Sequence, residues 1–412
     1  MLDSKKSYSI DQCQISGSKN LDSILFLGYM PPVNKLIPVG EVLNQQPSYP
    51  TEIFFSQTSY LMQLGYIVDP KILFPKEYPY TSSTTKILRD NFKNLYIELS
   101  KNFDIMEDDL VIDIGSNDGN LLSNFLNKHR VLGITPEKIG EIAISKGIST
   151  ILDYFNDKVV NKILEKYGKA KIITATNVFA HMDNIHEKLH LIKKILKEDG
   201  IFVTESHYLV TLLKKIQYDT IYHEHLRYYS LNSLKYLFAR HGLDIIKVSM
   251  VPTHGGSIRV YAANRGRYKA ESNIKKMLKD ELDNLSLSEL EKFKKKVILS
   301  KLKLYKYLYK LKKENSIIYG IGAPSRASIL VNYVGIDYGI IDCILEVEGS
   351  YKIGFYLPGT TIPIKDEKLI FSNPPDYALI LSWHIADDLI SVLRSKGYKG
   401  KFIVPLPEPI VI

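Results

Sequence analysis

Short apolar runs alternate with amphipathic helical stretches over the middle of the chain. Apolar runs predict strands at 110–114, 131–134, 171–175 and 200–204. Helical periodicity predicts helices near 119–128, at 137–146 and at 184–197. Strands separated by helices imply a parallel sheet with right-handed crossovers, and ligands of such sheets bind at the carboxyl ends of the strands. The predicted fold class is therefore α/β, with a doubly wound central sheet.

The flanking regions have different patterns. Prolines and aromatic residues interrupt any long periodicity up to about residue 90, which predicts a small, irregular module that contains strands. Residues 270–314 are helical and rich in lysine, with a predicted capping box at Ser286 and Glu289. The predicted apolar face of this helical region comprises Leu290, Phe293, Val297, Leu302, Tyr305 and Leu308.

A strand, a glycine turn and a helix begin a third region with SIIYGIGAPSRASILVNY, and further strands and a helix follow. This order predicts a second Rossmann-like unit. The chain is therefore expected to divide into an N-terminal module (1–90), a central domain (91–268), a helical connector (269–314) and a C-terminal domain (315–412).

Composition narrows the class of protein. The 412 residues, 45% hydrophobic and 24% charged, have ordinary globular values, and the two cysteines, Cys13 and Cys343, make a disulfide framework implausible. Since no apolar run approaches the roughly 20 residues that a bilayer demands, and the first residues have no apolar signal region, a cytoplasmic protein without a membrane partner is expected.

The net charge of +9 comes with lysines concentrated in helical stretches. Solvated helix faces explain such lysines best, and no nucleic-acid partner is expected. A positive field that attracts an anionic, phosphorylated substrate is the other interpretation that stays open.

The stretch LVIDIGSNDGNLL predicts a buried strand that runs into a glycine turn, where a nucleoside cofactor binds in a doubly wound sheet. The candidate cofactor residues in it are Asp113, Gly115, Ser116, Asn117, Asp118 and Gly119. Asn177, at the end of a later strand, is expected beside them. The acid that would bridge the ribose hydroxyls at the end of the second strand is replaced by Thr135, with Glu137 two residues on, and either could hold the ribose.

The segment DTIYHEHLRYYS places Tyr222, His223, Glu224 and His225 in succession. Because burying ionisable groups without partners is unfavourable, the cluster indicates either a satisfied polar network or proton chemistry. His181 follows the strand that carries Asn177. A single histidine is usually structural, but its position at the carboxyl edge of the sheet favours a functional role.

Further stretches are candidates for substrate contact. The hydroxyl-rich YPYTSS loop, with Tyr78 and Tyr80, is either a turn with partly exposed tyrosines or a cap over a polar ligand. The turn in THGGSIR is either a plain hairpin or a binding element, with the candidates His254, Gly255, Ser257 and Arg259. The turn in GIGAPSR would place an anion at a helix N-terminus, with the candidates Gly322, Ala323, Pro324, Ser325 and Arg326.

Two short pieces of the N-terminal module have the spacing of zinc knuckles. They are Cys13-x-x-Ser16 and Ser56-x-x-Ser59, in which serine occupies all but the first of the four cysteine positions. Zinc needs about four soft or borderline ligands, and serine hydroxyls are poor ones. The sequence therefore predicts no zinc and no other metal.

Six motifs, in chain order, resemble the sugar C-methyltransferases that act on nucleotide-linked deoxysugars: NVFAHMDN, YDTIYHEH, THGGSIRVY, GIGAPSRASILVNY, LPGTTIPI and PDYALILSWH. The resemblance covers essentially the whole chain. It implies a small zinc-type N-terminal module, a central class I methyltransferase domain that uses S-adenosylmethionine, and a C-terminal Rossmann-like domain that helps bind a sugar nucleotide. The missing zinc quartet is the clear departure from the family.

The resemblance also implies roles for single residues. His225 would be the general base, with Tyr222, Glu224 and His181 around the sugar ring, and Tyr78 or Tyr80 would close over the substrate. The expected reaction is C-methylation of a nucleotide-linked keto-deoxysugar through an enolate, at C3 beside a C4 ketone, with C5 as the alternative carbon. An O-methyltransferase and a non-catalytic sugar-nucleotide-binding protein are the alternatives, and the oligomeric state is left open.

Overall fold

The computed structural model describes residues 7–42, 44–74, 81–83 and 85–412. Its N-terminal part consists of short antiparallel strands followed by a helical turn and a long helix. These elements are β1 (Tyr8–Ser9), β2 (Asp22–Met30), β3 (Ile37–Pro38), β4 (Tyr49–Ser56), β5 (Leu61–Leu64), β6 (Tyr66–Ile67), α1 (Pro70–Leu73) and α2 (Lys86–Asn102).

The central part alternates strands and helices, as predicted. Its elements are β7 (Leu110–Ile114), β8 (Arg130–Ile134), α3 (Gly140–Ser145), β9 (Thr150–Ile151), α4 (Asp157–Lys166), β10 (Ala170–Thr176), α5 (Ile185–Ile195), β11 (Leu196–His207), α6 (Leu209–Lys215), β12 (Arg227–Tyr228), α7 (Leu231–Arg240), β13 (Leu243–Val251) and β14 (Ser257–Asn264). Single 3₁₀ turns lie between them at Leu122–Asn124, Tyr218–Thr220 and Thr253–Gly255.

Seven of these strands form one sheet in the order β13-β14-β11-β10-β7-β8-β9. Strands β7 to β11 are parallel, and β14 is antiparallel to both of its neighbours. Numbered along the chain, the order is 3-2-1-4-5-7-6, and it reverses between β7 and β10. A ligand cleft is therefore expected outside the carboxyl ends of these two strands. The predicted α/β fold class is confirmed.

The central strands β7 and β10 are almost wholly buried because helices cover both faces of the sheet. Alternate residues of β7 enter opposite halves of the core, with Ile112 in one cluster and Val111 in the other. Strand β12 joins β5 in a four-stranded sheet with β4 and β2, so the chain just after the Y-H-E-H cluster is fastened to the N-terminal part.

The helix predicted near 119–128 is wrong. The chain forms turns there around the 3₁₀ turn at Leu122–Asn124. The Asn120 carbonyl accepts from the Ser123 hydroxyl at 2.8 Å and from the Asn124 amide at 3.0 Å. Such side-chain bonds to nearby backbone groups compete with the helical ladder.

The connector consists of α8 (Asn273–Leu282) and α9 (Leu287–Lys313). Ser286 caps α9 by accepting from the Glu289 amide, whereas the Glu289 carboxylate binds Lys292. Leu302 is 56% exposed and Tyr305 is 46% exposed, so the predicted apolar face is wrong at these positions. The buried stripe comprises Leu290, Phe293, Val297, Leu304, Leu308 and Leu311, which follow the helical repeat.

The C-terminal part is a second doubly wound unit. Its elements are β15 (Ile318–Ile321), α10 (Ser325–Val334), β16 (Cys343–Glu346), β17 (Phe355–Tyr356), β18 (Ile364–Asp366), α11 (Leu369–Ser372), β19 (Tyr377–Ile380), α12 (Ala386–Ser395), β20 (Lys401–Val404) and β21 (Ile410–Val411), with a 3₁₀ turn at Trp383–Ile385. The sheet order is β18-β16-β15-β19-β20-β21, parallel except for β21, and it reverses between β15 and β19. Strand β17 pairs with β3 of the N-terminal part.

Among the helices in the described ranges, none has both the length and the apolarity that crossing a bilayer requires.

Candidate active site

The turn after β7 requires glycine at two positions. Gly115 and Gly119 have φ values of 78° and 77°, in the left-handed region. A Cβ on Gly115 would lie 2.9 Å from the Cβ of Val178, and one on Gly119 would lie 2.8 Å from the Cβ of Ala143. The turn lies at the point where the strand order reverses, beside the Asn177 that follows β10.

The polar side chains near this turn differ in their hydrogen bonds. The buried Asp113 carboxylate accepts a 2.6 Å hydrogen bond from Thr174 on the neighbouring strand, and burial raises its pKa to about 7. The Ser116 hydroxyl is buried, and it has no hydrogen-bond partner in the part of the chain that the structure describes. At the end of β8, the Thr135 hydroxyl donates to Glu137. The two candidates for binding the cofactor ribose therefore lie together.

The end of the YPYTSS loop lies on the same turn. The Ser82 amide donates to the Asn117 side chain at 2.9 Å, and the Ser82 hydroxyl donates to Asp118 at 2.6 Å. Asn120 in turn donates to the Ser82 carbonyl at 3.2 Å. The second half of this loop therefore covers the glycine turn, whereas Tyr78 and Tyr80 lie outside the described residues.

His225 is held in one tautomer. Its Nδ1 lies 2.8 Å from the Thr220 carbonyl, which can only accept, so Nδ1 carries the proton and Nε2 is left as the basic atom. Burial lowers the pKa of His225 to about 4, and the nearby His254 and Arg326 also lower it. The ring is therefore neutral at pH 7 with a lone pair on Nε2, although burial also makes that atom a weaker base.

Aromatic and histidine rings surround His225 on several sides. The ring centroid of Tyr222 lies 4.1 Å from that of His225, the His181 centroid lies 4.9 Å away and the His207 centroid 5.2 Å away. His254 continues the series, with its centroid 5.5 Å from that of His207. Burial holds the pKa of both His181 and His207 well below the usual range, so this histidine cluster is uncharged.

Sequence reasoning missed His207 and His384. His207 ends β11, beyond the predicted strand end, because β11 pairs with β14 as far as Ser257. His384 follows β19 in the C-terminal part and lies close to Gly255. A Cβ added to Gly255 would be 3.5 Å from the Cβ of His384. The signal that could have identified these two histidines is a histidine at or just after the carboxyl end of a strand, where ligands of such sheets bind. The Nε2 atoms of His207 and His254 and Nδ1 of His384 are buried and make no hydrogen bond with the described residues.

The other polar members of the Y-H-E-H cluster face the N-terminal part. Glu224 is buried and accepts a 2.7 Å hydrogen bond from Asn34. Nε2 of His223 lies 3.3 Å from the Pro50 carbonyl and 3.2 Å from the Thr51 hydroxyl. The structure therefore brings Tyr222 and His225 together, whereas His223 binds backbone and hydroxyl groups of β4.

The predicted substrate residues of THGGSIR divide into two groups. His254 joins the histidine cluster, and the Gly255 carbonyl beside it accepts from Lys215 at 2.9 Å and from Gln217 at 3.0 Å. The Ser257 hydroxyl donates to the Thr253 carbonyl at 3.1 Å and stays within its own turn.

Arg259 lies in the core, where two carboxylates and an amide bind its guanidinium. Its Nε and Nη2 donate to Glu205 at 2.9 and 2.8 Å, Nη1 donates to Glu98 at 2.8 Å, and Nη2 also donates to Asn91 at 2.7 Å. Arg259 is 1% exposed and Glu205 fully buried. Its guanidinium therefore joins β14 to β11 and α2.

The turn after β15 is closed by its own chain. The Ala323 amide donates to the Glu346 carboxylate, and the Ser325 hydroxyl donates to Asn34 at 3.4 Å. Pro324 is the N-cap of α10, and Gly322, with φ 80°, packs on Ser382. Arg326 pairs with Asp219 of the central part, so the N-terminus of α10 meets protein groups at the position where the sequence predicts an anion.

The knuckle-like pieces are held by hydrogen bonds. The Cys13 thiol lies 3.2 Å from the Ser59 hydroxyl, and the Ser16 amide donates to the Cys13 sulfur at 3.4 Å. Within the described ranges, no group of three or more His, Cys, Asp or Glu side chains is placed to hold a metal ion. The prediction of no zinc stays a prediction.

Family models match the chain in three successive segments. They are described as a "putative zinc binding domain" over residues 13–74, a methyltransferase domain over 88–248 and a C-methyltransferase C-terminal domain over 252–407. With the strand order and the glycine turn, the second match defines an S-adenosylmethionine-dependent methyltransferase, as predicted.

The C-methyltransferase NovU of Streptomyces niveus is 30% identical to this chain in an alignment of 411 positions that covers 98% of this chain and 97% of NovU. The chain therefore belongs to the C-methyltransferase family. Solved structures are similar at lower identity. An S-adenosylmethionine-dependent methyltransferase from Clostridium acetobutylicum is 14% identical, over 45% of this chain and 94% of its own, with a TM-score of 0.33. Magnesium protoporphyrin IX methyltransferase from Synechocystis is 12% identical, over 43% and 79%, with a TM-score of 0.33.

Proposed function

We propose that this C-methyltransferase acts on a nucleotide-linked keto-deoxysugar, at C3 beside a C4 ketone. The observation that carries the proposal is the state of His225. A buried, neutral imidazole whose Nδ1 proton is fixed by the Thr220 carbonyl presents Nε2 as a base. A base of this kind suits a carbon acid, because carbon becomes nucleophilic only after it loses a proton.

The glycine turn fits S-adenosylmethionine. Left-handed glycines let the backbone approach a ligand, and the buried Ser116 hydroxyl has hydrogen-bonding capacity that the described residues do not use. The residues proposed to hold the cofactor are Asp113, Gly115, Ser116, Asn117, Asp118, Gly119, Thr135 and Asn177. When bound, S-adenosylmethionine supplies an electrophilic methyl group. Glu137, which accepts from Thr135, is the carboxylate available to ribose hydroxyls.

The chain's own residues would perform the proton chemistry. Nε2 of His225 takes the proton from C3, and the electron pair of the broken C–H bond passes into an enolate whose oxygen was the ketone. Tyr222 and His181, whose rings adjoin the His225 ring, would stabilise that oxygen by hydrogen bonds. The enolate carbon would then take the methyl group and displace S-adenosylhomocysteine, and the proton would remain on His225 for release.

The sugar and its nucleotide would occupy the space between the three parts of the chain. Glu224 and Asn34 are a hydrogen-bonded pair that can bind sugar hydroxyls, and His254, whose ring adjoins His207, remains a candidate for substrate contact. Tyr78 and Tyr80 remain candidates for closing over the sugar. In this proposal residues 1–90 cap the substrate, residues 91–268 bind the cofactor, and residues 315–412 contribute to the sugar-nucleotide site across the connector at 269–314.

The test incubates the protein with a panel of nucleotide-linked 4-keto-6-deoxysugars in deuterated water and follows product mass. With S-adenosylmethionine, a gain of one methyl group on carbon is expected. Without it, the hydrogen beside the ketone should exchange for deuterium. Methyl gain on oxygen without exchange would favour O-methylation. The absence of both exchange and methyl gain across the whole panel would overturn the proposal.

A further inference from the structure

The 3₁₀ turn at Tyr218–Thr220 is held from the C-terminal part by a buried ion pair. Arg326, near the start of α10, donates from Nε to one Asp219 oxygen at 2.7 Å and from Nη2 to the other at 2.8 Å. Trp383, just after β19, donates from Nε1 to Asp219 at 2.7 Å. Asp219 is fully buried and Arg326 is 6% exposed, so water competes little for these bonds.

Asp219 is adjacent in the chain to the group that orients the base. The next residue is Thr220, whose carbonyl accepts the 2.8 Å hydrogen bond from Nδ1 of His225. Backbone bonds within the turn, from Ile221 to the Tyr218 carbonyl at 3.0 Å and from Thr220 to the Gln217 carbonyl at 3.1 Å, make it stiff. A shift of the Asp219 carboxylate would therefore move the Thr220 carbonyl.

The geometry of the Arg326–Asp219 pair holds the Asp219 carboxylate in one orientation. A two-bond contact between guanidinium and carboxylate fixes the plane of the carboxylate as well as its distance. The Trp383 indole adds a third bond to the same carboxylate, and its ring lies 4.7 Å from the guanidinium carbon of Arg326. The two residues belong to the two elements, α10 and the turn after β19, that flank the strand-order reversal of the C-terminal sheet.

We infer that Arg326 and Trp383 are positioning residues that act through Asp219 and the Thr220 carbonyl to aim Nε2 of His225 at the substrate carbon. The inference rests on the proposed function and changes the role expected for Arg326, which the sequence assigned to substrate binding. The C-terminal part is then needed for the deprotonation step itself.

The test measures the deprotonation step separately from methyl transfer. Exchange of the hydrogen beside the ketone is followed in deuterated water without S-adenosylmethionine, and kcat and KM are measured with it. For Arg326→Gln we expect both the exchange rate and kcat to fall about 100-fold, with KM changed less than about threefold, because misplacement of a base by about 1 Å has effects of this size. Arg326→Lys should recover part of the loss, since it keeps the charge but not the paired bonds.

Trp383→Phe is the milder variant, because it keeps the ion pair and removes one hydrogen bond to Asp219; it should lower the exchange rate by about three- to tenfold. Lys303→Gln is the matched control. Lys303 forms an exposed ion pair with Glu408 and so joins the connector to the C-terminal part away from the histidines, and exchange should be unchanged. Thermal unfolding and cofactor binding of each variant show whether it is folded.

If Arg326→Gln raises KM while the exchange rate stays at the wild-type value, Arg326 binds substrate and the positioning role is overturned. If Arg326→Gln does not fold, an unchanged exchange rate in Trp383→Phe overturns it instead. A wild-type protein that neither exchanges nor methylates overturns the proposed function and this inference with it. An active wild type with unaffected Arg326 and Trp383 variants overturns the inference alone.

Discussion

His225 and His223 stand two positions apart and have opposite surroundings. His225 has its Nδ1 proton fixed by Thr220 and its ring among Tyr222 and His181, whereas His223 binds the Pro50 carbonyl. The sequence predicted the importance of this cluster because ionisable residues rarely crowd together without a purpose. It could not separate the two histidines from alternation alone, since the chain between Tyr218 and Arg227 is irregular.

His225→Ala should lose methyl transfer by about 10²- to 10⁴-fold, the contribution of a positioned general base. S-adenosylmethionine should still bind, because the glycine turn lies elsewhere. The measurement is single-turnover methyl transfer, with cofactor affinity determined by calorimetry. His223→Asn is the matched control and should keep activity within about threefold of wild type, because His223 bonds to β4 and not to His225, and a lost hydrogen bond contributes only about 1 kcal/mol. Retained turnover in His225→Ala would move the base to His181 or a tyrosine.

Arg259 shows how a residue in a functional-looking motif can serve the core. Removing it would leave Glu205 as a buried carboxylate without its cation, at a cost of about 3–5 kcal/mol. Arg259→Gln should therefore lower the free energy of unfolding by about this amount, measured by urea denaturation. A raised KM with unchanged stability would instead support the substrate-binding role that the sequence suggested.

At the scale of elements, the hydrophobic pattern predicted most central strands but not where β11 ends or which turn follows β7. Apolar runs located β7, β8, β10 and β11 because buried parallel strands are continuously apolar. The short 3₁₀ turn at Leu122–Asn124 was missed, because periodicity cannot show which side chains bond to local carbonyls. The length of β11 was also missed, since its last residues depend on pairing with β14, a contact between distant parts of the chain.

The knuckle-like turns of the N-terminal part have kept a backbone arrangement that brings Cys13 and Ser59 together. Replacing Ser16, Ser56 and Ser59 with cysteine should therefore create a site that binds one equivalent of Zn²⁺, because four thiolates complete a tetrahedral set. Zinc release in a chelator assay and the thermal midpoint with and without zinc are the measurements. The same variant with Cys13→Ala, which has one ligand fewer, is the control and should bind more weakly. No zinc binding by the four-cysteine variant would show that the two turns have moved too far apart.

At the scale of the whole molecule, buried neutral histidines link stability to pH. Burial lowers the pKa of His225 and His223 to about 4 and that of His384 to about 3, against about 6.5 in an unfolded chain. Between pH 6.5 and 4 the unfolded state therefore binds more protons, so stability rises with pH in this window and is lost as pH falls through it. For His225 alone the change is about 3 kcal/mol at pH 4.

Urea denaturation between pH 4 and 8 should show the free energy of unfolding falling below about pH 6.5, because the three histidine shifts outweigh the opposite shift of Asp113, whose raised pKa offsets part of the fall. His225→Gln should reduce the slope, because a ring that must stay uncharged in the folded state has been removed. His190→Gln, at an exposed position, is the control and should keep the wild-type slope. His223 and His225 come from the segment before β12, and His384 comes from the turn after β19. A slope unaffected by His225→Gln would mean that the pKa of this ring is not lowered in the folded chain, whereas the assignment of the base to Nε2 rests on the contact of Nδ1 with the Thr220 carbonyl.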